Sequence, residues 1–282
     1  ARRRAAVIRA VAGGGRSAAR ASLLARLGDE RLARADLRLI VDGLMPASWT
    51  RGPSSVRAAA LAGRIEQEAA RVLASLRGLA RLDSVSGVGG SGVEAGGGSV
   101  GGSVGGSVAG GDAGLAVAIA RDAFTDELLE AQRHVEILFG ATAAPRGTAW
   151  FLQALCGEDT ALRATAIELT EATFGRRRGA MVVAVLDPTL DVAARIAALT
   201  AAGVSGAPGD VGGDVGGDAG GDWLCDVALD AGDWWESPWL QASVLRALPY
   251  VSPERANNVA EEVGSQPELD PIVAQTAAWI HG

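Results

Sequence analysis

The chain of 282 residues contains no lysine; all 26 of its basic residues are arginine. It has two cysteines, two histidines and only 4% aromatic residues. Each scarcity excludes something. Cys156 and Cys225 lie far apart and form no CxxC, so they read as buried, reduced thiols of a cytoplasmic protein rather than as a disulfide framework. No apolar run approaches the ~18–20 residues needed to cross a bilayer, and no secretory leader is visible. Few stretches alternate β-branched with polar residues, so strands are not expected. The missing lysine, with the Ala/Gly/Arg/Asp bias, matches the codon usage of a GC-rich, bacterial-type genome.

What is present favours helices. The chain is 48% hydrophobic, enough for a buried core, and is rich in Ala and Leu, both strong helix formers. The expectation is an all-α fold. Charge is uneven along the chain: residues 1–82 carry 16 Arg against 6 acids, and residues 83–282 carry 10 Arg against 27. The basic N-terminal part is the place where nucleic acid, anionic lipid or an acidic partner would bind. The plainer reading is that its arginines line exposed helix faces. The opening Ala-Arg-Arg-Arg fits either an ordinary helix start or a segment following a membrane helix.

Two glycine-rich tracts divide the chain. Residues 84–112 repeat GGSV, and residues 203–222 repeat GGD with aspartates at Asp210, Asp214, Asp218 and Asp222. Such tracts bury too little apolar surface to offset chain entropy and are expected as disordered tethers. The four-residue Asp period matches neither a nine-residue calcium repeat nor an EF-hand loop. The expected organisation is therefore an N-terminal Arg-rich helical block (1–82), a Gly/Ser/Val-rich insertion (83–113), a central helical block (114–202), a Gly/Asp-rich insertion (203–222) and a C-terminal helical block (223–282).

In the first block, residues 17–28 and 30–44 read as short helices and 56–82 as a longer one, with Leu61, Ile65, Val72, Leu76 and Leu79 on one face. The second block holds helix-sized pieces at 114–140, 148–157, 159–175, 179–186 and 188–199. MVVAV has strand-like composition but lacks a partner strand, so it is assigned to a helix. In the third block Ser237-Pro238, Ser252-Pro253 and Asp270-Pro271 each place a capping residue before a proline at the first helical position. Gly264 suits a stop, and Asp187-Pro188 looks like a further start of the same kind. The starts at 238 and 271 define a two-helix unit of thirty-three residues.

Superposing the first helices of these units aligns Leu240, Val273 and Leu162 at one position. Val244, Ala277 and Ala166 align four residues later. A large anchor followed by a smaller residue lets helix pairs stack on one another. The pattern D/S-P-x-V/L-x-x-x-A resembles HEAT/armadillo-type repeats. Arg163 stands where those repeats often carry arginine, while Gln241 and Ala274 depart from it. ALRATAIELTEATF followed by LDP is also similar to HEAT-like regions attached to bacterial nucleotide-translocase-like or major-facilitator-type carriers. The resemblance implies an α-α superhelix, a HEAT-like solenoid. It further implies a non-catalytic scaffold or protein-interaction module in the cytoplasm, with tethering to a membrane through an upstream region as the alternative.

Motifs for chemistry are sparse, and no enzyme activity, cofactor or metal is expected. HEAT-like hydroxylases hold iron with His-Glu dipeptides; here His134 and His281 precede Val135 and Gly282. Both histidines read as solvated or structural, and the pairs Asp126-Glu127 and Glu261-Glu262 as solvated helix faces. The glycine tracts lack the strand–turn–helix setting of a nucleotide loop. HEAT-like DNA glycosylases need a basic surface carrying aromatics, but six of the seven tryptophans lie in the acidic part of this chain. Trp234, Trp235 and Trp239 cluster near a helix start. They are the candidate partner-binding residues, with a packed core as the competing assignment. A protein partner is expected. The alternative is nucleic-acid or anionic-surface binding, or an enzyme activity of uncharacterised type, through the Arg-rich block.

Overall fold

The computed structural model describes residue 40 and residues 54–88, 108–142, 145–205, 222–230 and 234–281. The regular structure of the described residues is all helical, with no strand among them. In chain order they form α1 (Ser54–Val88), α2 (Val108–Thr142), α3 (Pro145–Cys156), α4 (Thr160–Phe174) and α5 (Arg176–Leu186). Then come α6 (Val192–Ala201), α7 (Asp222–Asp230), α8 (Pro238–Val251), α9 (Pro253–Gly264) and α10 (Pro271–His281). MVVAV lies inside α5, as its helical neighbours require. The expected helices at 17–28 and 30–44 and the Gly/Asp repeats lie outside the described residues, apart from buried, helical Ile40 and from Asp222. Helix α1 continues past Leu82, and α2 begins before Leu115, so both borders of the Gly/Ser/Val tract are helical.

Helix starts follow local capping chemistry. The Asp159 carboxylate accepts the amides of Ala161 and Leu162 at 2.9 and 3.1 Å and starts α4. Ser237 accepts the Leu240 amide at 3.3 Å, with Pro238 at the first helical position of α8. Asp270 does the same for Ile272 at 3.0 Å ahead of Pro271. These contacts satisfy amides that have no partner within the helix. Ser252 differs: its amide closes α8 on the Leu248 carbonyl at 2.8 Å. Its hydroxyl makes no cap bond for α9 and lies where it favours the charged form of the Cys225 thiol, against the larger effect of burial.

Asp187-Pro188 does not start a helix. Asp187 ends α5, and its carboxylate accepts the Thr189 amide and hydroxyl at 2.9 and 2.7 Å, folding residues 187–189 into a turn. Helix α6 begins at Val192, where Asp191 accepts the Ala194 amide at 2.7 Å. The local bond from Asp187 to Thr189 competes with capping and wins because Thr189 supplies two donors.

The packing falls into two units, Ala1–Leu73 with Leu129–Ser205 and Ala74–Leu128 with Gly206–Gly282. In the first, α3 packs on α4, α4 on α5 and α5 on α6. Phe151 and Phe174 flank Phe139, at ring-centre distances of 4.3 and 5.9 Å. Gly179 lets α5 approach α4 closely, because a Cβ there would lie 2.7 Å from the Glu171 Cα. Asp187 ties the end of α5 to both neighbours: Arg163 of α4 pairs with its carboxylate, and Arg195 of α6 donates to its carbonyl at 2.7 Å.

In the second unit, consecutive helices α7 to α10 pack pairwise, and so do the next-but-one pairs α7/α9 and α8/α10. Leu240, Val244, Leu245, Leu248, Val259, Val263 and Val273 form the shared core with Leu224 and Trp235. Phe124 of α2 joins this core; its ring occupies the space a side chain at Gly78 of α1 would need. Of the aligned positions, Val244, Ala277 and Ala166 are all buried, as are Leu240 and Val273. Leu162 is not: it is 45% exposed. Helix α8 is packed by α7, α9 and α10, whereas the main packing of α4 is against α3 and α5, which leaves the Leu162 face open. Gln241, where the repeat pattern has arginine, donates to the Ala228 carbonyl of α7 at 2.9 Å from a buried position.

Candidate functional site

The three candidate tryptophans separate. Trp235 is sealed in the core of the second unit, 1% exposed. It meets Phe124 edge-on at 5.8 Å and Trp234 edge-on at 4.6 Å. Trp234 is half-buried beside it. Only Trp239, in the first turn of α8, presents a large surface, at 46% exposure. Trp235 is therefore a packing residue, and Trp239 is the one of the three that a partner can reach. The cause is the turn between them: Glu236 has φ 54° and Ser237 begins the cap, which redirects the chain between the two indoles.

Trp239 has company that the sequence reading did not single out. Exposed large apolar residues on α8 and α10 include Tyr250, Ile272 and Trp279. The Arg246 guanidinium lies over the Trp279 ring at 4.8 Å. Arg246 and Trp279 are thirty-three residues apart, as are Trp239 and Ile272 and the prolines that start the two helices. Arg246 on Trp279 is thus a contact between α8 and α10 at positions one repeat length apart, and Trp239 and Ile272, seven residues earlier on each helix, are both exposed. The signal was available in the sequence. Adding the repeat length to Trp239 and Arg246 lands on Ile272 and Trp279.

The C-terminal segment that carries this face is acidic in sequence. Residues 222–282 hold ten Asp and Glu against two Arg. Arg255 pairs with Asp222 at 2.8 Å, and Arg246 is the cation on Trp279. Glu236 and Asp270 are exposed, next to the starts of α8 and α10.

Several ionisable groups elsewhere are buried and paired with one another. His134 is buried, its Nδ1 3.3 Å from Glu68 Oε2. Glu68 also meets Arg64 and Arg71 at 3.1 and 3.0 Å. All three of these α1 residues are fully buried. Two arginines of the basic block therefore do not line an exposed face; spacing of three and four residues lets Glu68 pair with both and lowers the cost of burying them. Glu127 is also buried, at 5% exposure, whereas Asp126 and the Glu261-Glu262 pair are exposed. His281 is exposed in the last turn of α10. Cys225 is buried, and burial pushes its thiol above the ordinary value. Cys156 is exposed, not buried, because it ends α3 just before the Gly157 bend.

The first unit carries a groove of about 880 Å³, bordered by Leu129, Arg133, Ile137, Leu152, Val185 and Arg195. Gln132, Arg133, Glu136 and Arg195 give it a polar, mixed-charge lining beside the apolar residues. Among the described residues there is no group of three or more potential metal ligands. No described helix is long and apolar enough to cross a membrane. No family model, curated protein or solved structure matches the chain.

Proposed function

We propose that the protein is a non-catalytic scaffold of HEAT-type helical repeats and that it holds a protein partner on the exposed face of α8 and α10. The observation that carries this reading is the thirty-three-residue register between those helices, marked by Arg246 on Trp279. Packing of α7 on α9 and of α8 on α10 supports a stack of two-helix units, since such a unit hides its apolar face only against the next. Two exposed tryptophans and a tyrosine on paired helices supply the residue types that dominate binding energy at interfaces. The buried Cys225 thiol, held toward its neutral form, and the Glu68-bonded His134 favour a structural role over catalysis.

The test compares two immobilised proteins, the wild-type chain and a Trp239→Ala/Trp279→Ala variant with an unchanged helical circular-dichroism spectrum. The reading expects proteins from the native host to be retained by the first and lost by the second. Equal retention by both would refute it.

A further inference from the structure

The second unit shows how its own surface accommodates a cation. Arg246 stacks on Trp279, and Trp239, seven residues before Arg246 on α8, is 46% exposed, as is Ile272, one repeat length after it in sequence, at 39%. An exposed indole face attracts guanidinium and ammonium groups through its quadrupole. Two carboxylates, Glu236 and Asp270, stand three and two residues before Trp239 and Ile272, at the same ends of the two helices. Residues 222–282 carry ten Asp and Glu against two Arg, a net negative charge. A field of that sign attracts a basic chain and repels an acidic one.

We propose that the partner segment seated on α8 and α10 is basic. One of its arginine or lysine side chains stacks on Trp239 as Arg246 stacks on Trp279, with neighbouring basic groups facing Glu236 and Asp270. The proposal rests on the partner-binding reading of this face and adds the chemistry of the occupant. The apolar part of the face, Ile272 and Tyr250, covers the aliphatic stems of such side chains, which bury carbon while their charged heads stay in water. Nucleic acid is disfavoured by the same charge that favours a basic peptide.

The experiment titrates the full chain into labelled dodecapeptides of alternating Arg/Ala, Glu/Ala and Leu/Gln, read by fluorescence anisotropy. The Arg/Ala peptide is expected to bind, and its affinity to fall as salt rises from about 0.05 to 0.3 M. Trp239→Ala is expected to weaken it roughly five- to tenfold, and Trp239→Phe to keep most of the affinity. Asp270→Asn, which retains an oxygen for the α10 cap, is expected to weaken it about two- to fivefold. Glu/Ala peptide is expected not to bind. Binding of Leu/Gln peptide that depends on Trp239, with none for Arg/Ala, would overturn the basic occupant and leave the binding face standing. Arg/Ala binding indifferent to Trp239→Ala, or no binding at all, would overturn both. A dimer in sedimentation that Trp239→Ala abolishes would identify a second copy of the chain as the occupant and overturn the proposal.

Discussion

The Arg246 guanidinium lies 4.8 Å from the centre of the Trp279 ring, bridging α8 and α10 on the outside of the core they share. Removing it as Arg246→Ala is expected to cost about 0.5–1 kcal/mol, the usual value of an exposed cation–aromatic contact. Thermal unfolding measures that cost. Acrylamide quenching of tryptophan emission should rise in the variant, because the Trp279 face loses its cover.

The tryptophans make a second, sharper test. Trp235→Ala empties a sealed site between Phe124 and Trp234 and is expected to cost about 3–5 kcal/mol. Trp239→Ala removes a residue with nearly half its surface in water and should change stability by less than about 1 kcal/mol. Urea midpoints of the two variants check the pair.

Gly179 is required by the approach of α5 to α4. A methyl group there would lie 2.7 Å from the Glu171 Cα and 2.9 Å from its backbone nitrogen, so the helices must separate. Gly179→Ala is expected to destabilise by about 1–3 kcal/mol, although alanine is the better helix former. Gly114→Ala, where nothing lies within 4 Å of the added carbon, should instead stabilise α2 by up to about 1 kcal/mol. Chemical unfolding of both variants separates crowding from propensity.

The two thiols should differ in reactivity and in pH dependence. Cys156 is exposed and Cys225 buried, so one equivalent reacts quickly with a disulfide reagent and the second only on unfolding. Desolvation raises the Cys225 thiol above its ordinary value, outweighing the opposite effects of Arg255 and the Ser252 hydroxyl. The folded state therefore favours the neutral thiol. Its stabilising contribution is complete below the unfolded thiol's pKa of about 8.5 and is lost as the pH rises toward the higher folded value. The urea midpoint should fall with rising pH in that alkaline range, and the fall should be shallower in Cys225→Ala.

The capping positions were legible because they depend on near neighbours. Ser237-Pro238 and Asp270-Pro271 start helices through contacts two or three residues away, and Val244, Ala277 and Ala166 are buried where the alignment places small residues. Features that depend on distant cover were not legible. The arginines of the N-terminal block were expected on exposed helix faces, yet burial reaches Arg64 and Arg71 from other parts of the fold, and Glu68 and His134 complete their pairing. Leu162 matches the anchor position but lacks the cover that α7, α9 and α10 give α8. Asp187-Pro188 has the sequence of a helix start, and the competition from Thr189 and Arg163 decides against it. The tryptophan group looked single because 234, 235 and 239 are close in sequence; one residue with positive φ, Glu236, sends its members to different environments.

Hydrogen–deuterium exchange on the full chain, alone and with a captured protein partner, tests the scaffold reading most directly. The account expects new protection in peptides covering 238–251 and 271–281, centred on Trp239 and Trp279. Protection confined to the groove segments 129–137 and 185–195, with none on α8 and α10, would contradict it.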